Sequence, residues 1–146
     1  MSTTLKFRAW DKIIRQFAYS DEFDFKDNNE KLKYFFEKCA ALKYKVINRF
    51  TGMTDKNGKE IYEGDIMRIP GDWKRFCVGG VIFREASFQI KVHNRQGNLY
   101  HDLINGDDDY RYINLGGDNI MWRPRREIGI GIEIVGNICK NPELLK

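Results

Sequence analysis

The sequence predicts a small, mainly β domain of the α+β kind: a barrel-like set of short strands preceded by a hairpin and one amphipathic helix. Three observations carry this. Short segments rich in aromatic and β-branched residues recur along the chain. Turn signals such as Asn57-Gly58, Gly64-Asp65 and Pro70-Gly71-Asp72 separate them. Only one segment has the helical period.

The elements follow in order. Leu5 to Trp10 and Ile13 to Tyr19 read as a hairpin turned at Asp11-Lys12. Ser20 to Asn29 is polar and reads as a loop. From about Asn28 to Leu42, residues Leu32, Phe35, Phe36 and Cys39 recur at helical spacing and define an apolar face. Asp27 with Glu30 makes a capping box, and Lys31, Lys33, Glu37 and Lys38 form the solvated face. Tyr44 to Phe50 returns to strand. Asn57-Gly58 then predicts a primed two-residue turn, both positions tolerating positive φ. Gly64-Asp65 predicts a second turn, with the Asp65 side chain bonding the local backbone. Strands follow from Ile66, over Phe76 to Arg84, over Ser87 to Val92 and over Asn98 to Leu103. Ile104 to Arg126 reads as an irregular excursion. The last strand places Ile128, Ile130, Ile132 and Ile134 on a core face, with Gly129 and Gly131 opposite, and turns at Gly136-Asn137. The expected organisation is a hairpin-plus-helix lobe over residues 1–48 and a β-barrel domain over 49–146, with the excursion at about 104–127.

At 146 residues the chain can bury a core without disulfides or metal. Cys39, Cys77 and Cys139 are far apart and form no CxxC pair, so they read as small buried hydrophobes of a reduced, cytoplasmic protein. No signal peptide or membrane span is expected. The net charge of +4 is unsegregated, with 14 Lys/Arg against 12 Asp/Glu over residues 1–73 and 11 against 9 over 74–146. A dedicated nucleic-acid domain concentrates its basic residues more strongly.

Chemistry-bearing patterns are sparse. His93 and His101 lack zinc-ligand spacing, and the run Asp107 to Asp109 lacks the alternation of a calcium loop. No metal and no cofactor is expected. Ser87 has no nucleophile-elbow context, and no catalytic residues are assigned. Trp122 beside Arg123, Arg125 and Arg126, with a second knot at Trp73, Lys74 and Arg75, forms the candidate nucleic-acid site, because arginines neutralise phosphates and a tryptophan stacks on bases. The competing reading packs both tryptophans on the barrel. Asn57, Gly58, Gly64 and Asp65 are assigned a structural turn role.

Three segments share one pattern. FRAWD over 7–11 opens the chain, TGMTDKNGKEIYEGDI over 51–66 occupies the middle, and VGNICKNPELL over 135–145 closes it. In this order they resemble the YopX family of bacteriophages and prophages. The resemblance implies a small β-barrel-like domain, an N-terminal lobe and oligomeric assembly, and it brings no activity. Glu63 to Ile66, with Gly79-Gly80-Val81 after the next strand, is also similar to SH3-like barrels, which is fold analogy only. The expected function is a non-enzymatic accessory protein in the cytoplasm of the host bacterium, acting as an oligomeric module that binds itself and a host or phage protein, without membrane contact. The alternative is nucleic-acid binding through the Trp/Arg patch.

Overall fold

A computed structural model describes residues 5–22, 27–44, 46–70, 76–93, 105–106, 110–115 and 132–145. The chain falls into two compact units, Met1–Gly52 and Met53–Lys146.

In the first unit, β1 (Phe7–Asp11) pairs antiparallel with β2 (Gln16–Tyr19) and with β3 (Ile47–Thr54), which crosses the boundary between units. The hairpin turn is Lys12–Arg15, not Asp11-Lys12, because Asp11 pairs with Gln16. Ile13 and Ile14 therefore leave the strand despite their β-branched side chains. The Asp11 Oδ1 carboxylate accepts from the Ile13 N–H at 2.9 Å and the Ile14 N–H at 3.3 Å, and this local bonding holds the turn. The helix α1 (Asn28–Ala41) matches its expected span, with Asp27 as N-cap accepting from the Asn29 N–H. Phe35 and Cys39 are buried with Ala9, whereas Phe36 is exposed and meets Phe7 edge-on. The helix ends in a Schellman motif: Lys43 N–H donates to Ala40 O and Tyr44 N–H to Cys39 O. Lys43 holds φ 57° where glycine is usual. This cap takes Tyr44 out of β3, which starts at Ile47 rather than Tyr44. Arg8 is buried, its Nε donating to Asn48 Oδ1 and its guanidinium lying 4.1 Å from the Phe17 centroid.

The second unit is a six-stranded antiparallel sheet. β4 (Glu60–Tyr62) precedes β5 (Asp65–Pro70), β6 (Phe76–Arg84), β7 (Ser87–His93), β8 (Asn105–Gly106), β9 (Tyr110–Asn114) and β10 (Glu133–Asn137). The sheet order is β10-β5-β6-β7-β9-β8, so among the described residues β10 and β8 are the ends of the ladder. One face carries the core. Met67 and Ile69 of β5, Cys77 and Val81 of β6, Ile90 and Val92 of β7 and Ile113 of β9 alternate inward and meet Ile61, Leu115 and Ile132.

Three expectations change here. The supposed excursion contains β8 and β9. Tyr110–Asn114 lies beside β7 with Ile90 opposite Ile113, a long-range pairing that local composition does not signal. Gly136 and Asn137 are in β10 rather than a turn; the strand bulges at Val135 and turns only after Asn137. Cys39 and Cys77 are buried as expected, but Cys139 is only half-buried. The expected strand Asn98–Leu103 and the Ile128 to Gly131 pattern lie outside the described residues, as do His101 and Asp107 to Asp109.

The β6–β7 hairpin turns through Glu85 and Ala86, at φ 52° and 61°, with Arg84 opposite Ser87. Both central residues adopt a left-handed conformation that asparagine and glycine take more readily. Replacing the pair by Asn-Gly is expected to raise stability by about 1–2 kcal/mol. The urea midpoint should rise; an unchanged midpoint contradicts the strain argument.

Candidate functional site

Two turns organise the middle of the chain, and each reaches the C-terminal strand. At the first, Asp55 N–H donates to Lys59 O and Gly58 N–H to Asp55 O. Only Gly58 has positive φ, +81°, so this is not the primed turn expected of Asn57-Gly58. The Asp55 side chain explains the difference. Its Oδ1 accepts from the N–H groups of Asn57 and Lys59, both at 2.9 Å, and its Oδ2 accepts from Ile134 N–H at 3.1 Å. Lys56 N–H also donates to Ile132 O.

At the second turn, Gly64 sits at φ 84°. Asp65 Oδ2 accepts from Tyr62 N–H at 2.8 Å, the local bonding expected of it. Its Oδ1 accepts from Asn137 Nδ2, while Asn137 Oδ1 accepts from Cys139 N–H. Gly64 O accepts from Ile138 N–H. Asp55, Asp65 and Asn137 are all buried. Two turn aspartates thus hold the segment from Ile132 to Cys139 against the start of the sheet.

A charged cluster reinforces the first turn. Glu133 accepts from Arg68 Nη2 and Asn57 Nδ2, and lies 3.6 Å from Lys56 Nζ. Burial pushes the Glu133 carboxyl upward, but the Lys56 and Arg68 charges and the two hydrogen bonds outweigh it and hold it below the ordinary value. A folded value below the unfolded one stabilises at pH above the unfolded value, and that stabilisation is lost as pH falls through the folded value. Denaturation midpoints should therefore drop on acidification through the carboxylate range. Glu133→Gln should flatten the drop; an equal drop in the variant contradicts this role.

The outward face of the same sheet, with the C-terminal tail, walls a concavity of ≈ 200 Å³. Val78, Gly80 and Ile82 come from β6, Lys91 and His93 from β7, Tyr110 from β9, and Ile138 and Leu145 from the tail. The 3-10 turn Pro142–Leu145 fits because Gly136 leaves room for it. A Cβ on Gly136 would come within 2.8 Å of Leu144 Cδ1, and Leu145 Cδ1 lies 3.6 Å from where a Gly80 Cβ would be. Cations stack on the tyrosines: Lys91 Nζ is 4.0 Å from the Tyr110 centroid and Arg84 Cζ 4.1 Å from that of Tyr112. His93 meets Tyr110 edge-on. Among the described residues, Arg84 Nη1 and Gln89 Oε1 are buried without a hydrogen-bond partner.

The structural turn residues Asn57, Gly58, Gly64 and Asp65 are thus placed, while Asp55, whose side chain does most of the bonding, was missed. Its position two residues before Asn57 is the available signal. Trp73, Lys74, Arg75, Trp122, Arg123, Arg125 and Arg126, the candidate nucleic-acid site, lie outside the described residues. Among the described residues no three His, Cys, Asp or Glu side chains gather as a metal-holding group, and no helix is long and apolar enough to cross a membrane.

The model of the family described as YopX protein matches residues 6–146. The chain belongs to the YopX family. The crystal structure of protein EF1440 from Enterococcus faecalis is similar at 22% identity and a TM-score of 0.52, covering 99% of this chain and 100% of that one. At that identity the likeness is one of fold. No curated protein matches the chain. The YopX match takes in both aspartate turns and the strand they hold.

Proposed function

We propose that this YopX chain is a non-catalytic accessory protein of a bacteriophage or prophage, working in the bacterial cytoplasm as a self-associating protein-binding module. The observation that supports it most is apolar. Val135, Ile138, Leu144 and Leu145 are exposed on and just after the edge strand β10, and Ile138 and Leu145 also wall the concavity. Exposed apolar side chains gathered at a sheet edge suit association with another protein surface. The described pairing groups of that edge are already occupied: Ile134 N–H and Ile132 O by Asp55 and Lys56, and Asn137 by Asn141. Association through side chains, rather than by adding a strand, follows. On this reading the six-stranded sheet is the wall of a partly closed SH3-like barrel. Light scattering at micromolar concentration should report a dimer or larger species that Ile138→Ser with Leu145→Ser shifts toward monomer. A strictly monomeric parent protein overturns the proposal.

A second reading is nucleic-acid binding. It draws on the Trp/Arg residues named from the sequence and on the cation–tyrosine pairs of β6, β7 and β9. It requires a salt-dependent mobility shift that weakens when Arg123, Arg125 and Arg126 become alanine. No shift at low salt removes it.

A further inference from the structure

The turn Lys12–Arg15 projects two isoleucines into solvent, Ile13 at 87% exposure and Ile14 at 62%. Single exposed apolar residues are ordinary. Here Ile13 belongs to a hollow of ≈ 90 Å³ within the first unit, which Leu42 and Val46 also wall. Leu42 is 51% exposed and Val46 36%. Lys12 and Lys43 line the same hollow.

The hollow is preorganised from both sides. Asp11 ties down the turn through Ile13 and Ile14, and its Oδ2 accepts from Tyr44 OH at 3.1 Å, joining turn to helix cap. The Schellman motif fixes Lys43 and Tyr44. A surface already held in shape binds with less ordering cost.

Charge decides what fits. Lys12 and Lys43 are cationic, and neither belongs to an ion pair among the described residues. The one carboxylate lining the hollow, Asp11, already accepts three hydrogen bonds. Apolar walls under a positive rim complement an apolar side chain flanked by carboxylates. We propose that this hollow docks an acidic segment of a partner protein, with one apolar anchor between Ile13, Leu42 and Val46 and its carboxylates on Lys12 and Lys43. A concave seat favours a side chain over a lipid surface. The proposal does not depend on self-association.

The test is panning a library of random twelve-residue peptides against the full-length chain. Selected peptides should carry an aromatic or aliphatic residue among aspartates and glutamates. Their affinity, read by fluorescence anisotropy of the labelled peptide, should fall about tenfold in Ile13→Ser and in Lys12→Glu, and should weaken with salt. Circular dichroism checks that both variants fold; because the turn is exposed, they should. The proposal is overturned if selection yields no acidic–apolar pattern, if the peptides bind both variants as well as the parent, or if phosphatidylserine vesicles bind the hollow and acidic peptides do not.

Discussion

Asp55→Ala is expected to destabilise the second unit by about 3 kcal/mol, well beyond an ordinary turn substitution. The carboxylate accepts from three backbone N–H groups, on Asn57, Lys59 and Ile134. Hydrogen bonds to a charged acceptor contribute about 1.5–3 kcal/mol each when lost from a buried place. Two of these donors lie at a turn that water can reach, so the full sum is not expected. The third is on β10, whose outer edge then loses a bond. Asp27→Ala is the natural comparison, because Asp27 caps a helix through a single exposed bond. It should cost about 1 kcal/mol. Urea unfolding of both variants distinguishes a latch between distant segments from a local cap. Equal costs contradict the latch.

Gly79→Ala carries the second large effect. Gly79 lies in β6 opposite Val92. A Cβ there would sit 2.6 Å from the Lys91 backbone oxygen, 2.8 Å from Ile90 Cγ2 and 2.9 Å from Val92 Cγ2. None of these atoms is the loose end of a flexible side chain, so two central strands must separate. A cost of about 3 kcal/mol or more is expected, at or above the upper end for overpacking. Its neighbour supplies the control. A Cβ on Gly80 meets only Leu145 Cδ1 at 3.6 Å, an ordinary contact. Gly80→Ala should be within about 1 kcal/mol of the parent. If both variants melt together, the close approach of β6 and β7 at Gly79 is not what fixes the glycine.

Much of the sheet was legible because its strands carry their own pattern. Phe76 to Arg84 carries Phe76, Val78, Val81, Ile82 and Phe83, and its expected bounds match. The helix was legible from Leu32, Phe35, Phe36 and Cys39, though period alone placed Phe36 inward where the packing leaves it exposed. Tyr110–Asn114 was missed for a physical reason: only Ile113 of that strand marks a core face, and its pairing partner lies on β7, over twenty residues earlier. Ile13 and Ile14 misled in the opposite sense, since their β propensity was overridden by the two hydrogen bonds their N–H groups donate to Asp11.

The candidate sites were less legible than the fold. Hydrogen bonds from Ile134 to Asp55 and from Asn137 to Asp65 span 79 and 72 residues, and no local window carries them. The docking hollow joins a hairpin turn to a helix cap through the bond from Tyr44 to Asp11, 33 residues apart.

The patterned middle segment is a pair of aspartate latches on the C-terminal strand. Amide hydrogen exchange in the parent and in Asp55→Ala tests it most directly. The Ile134 amide should be protected in the parent. In the variant it should lose protection together with Asn57 and Lys59, while the Val81 and Ile90 amides of the central strands stay protected. An Ile134 amide equally protected in both proteins would contradict the latch.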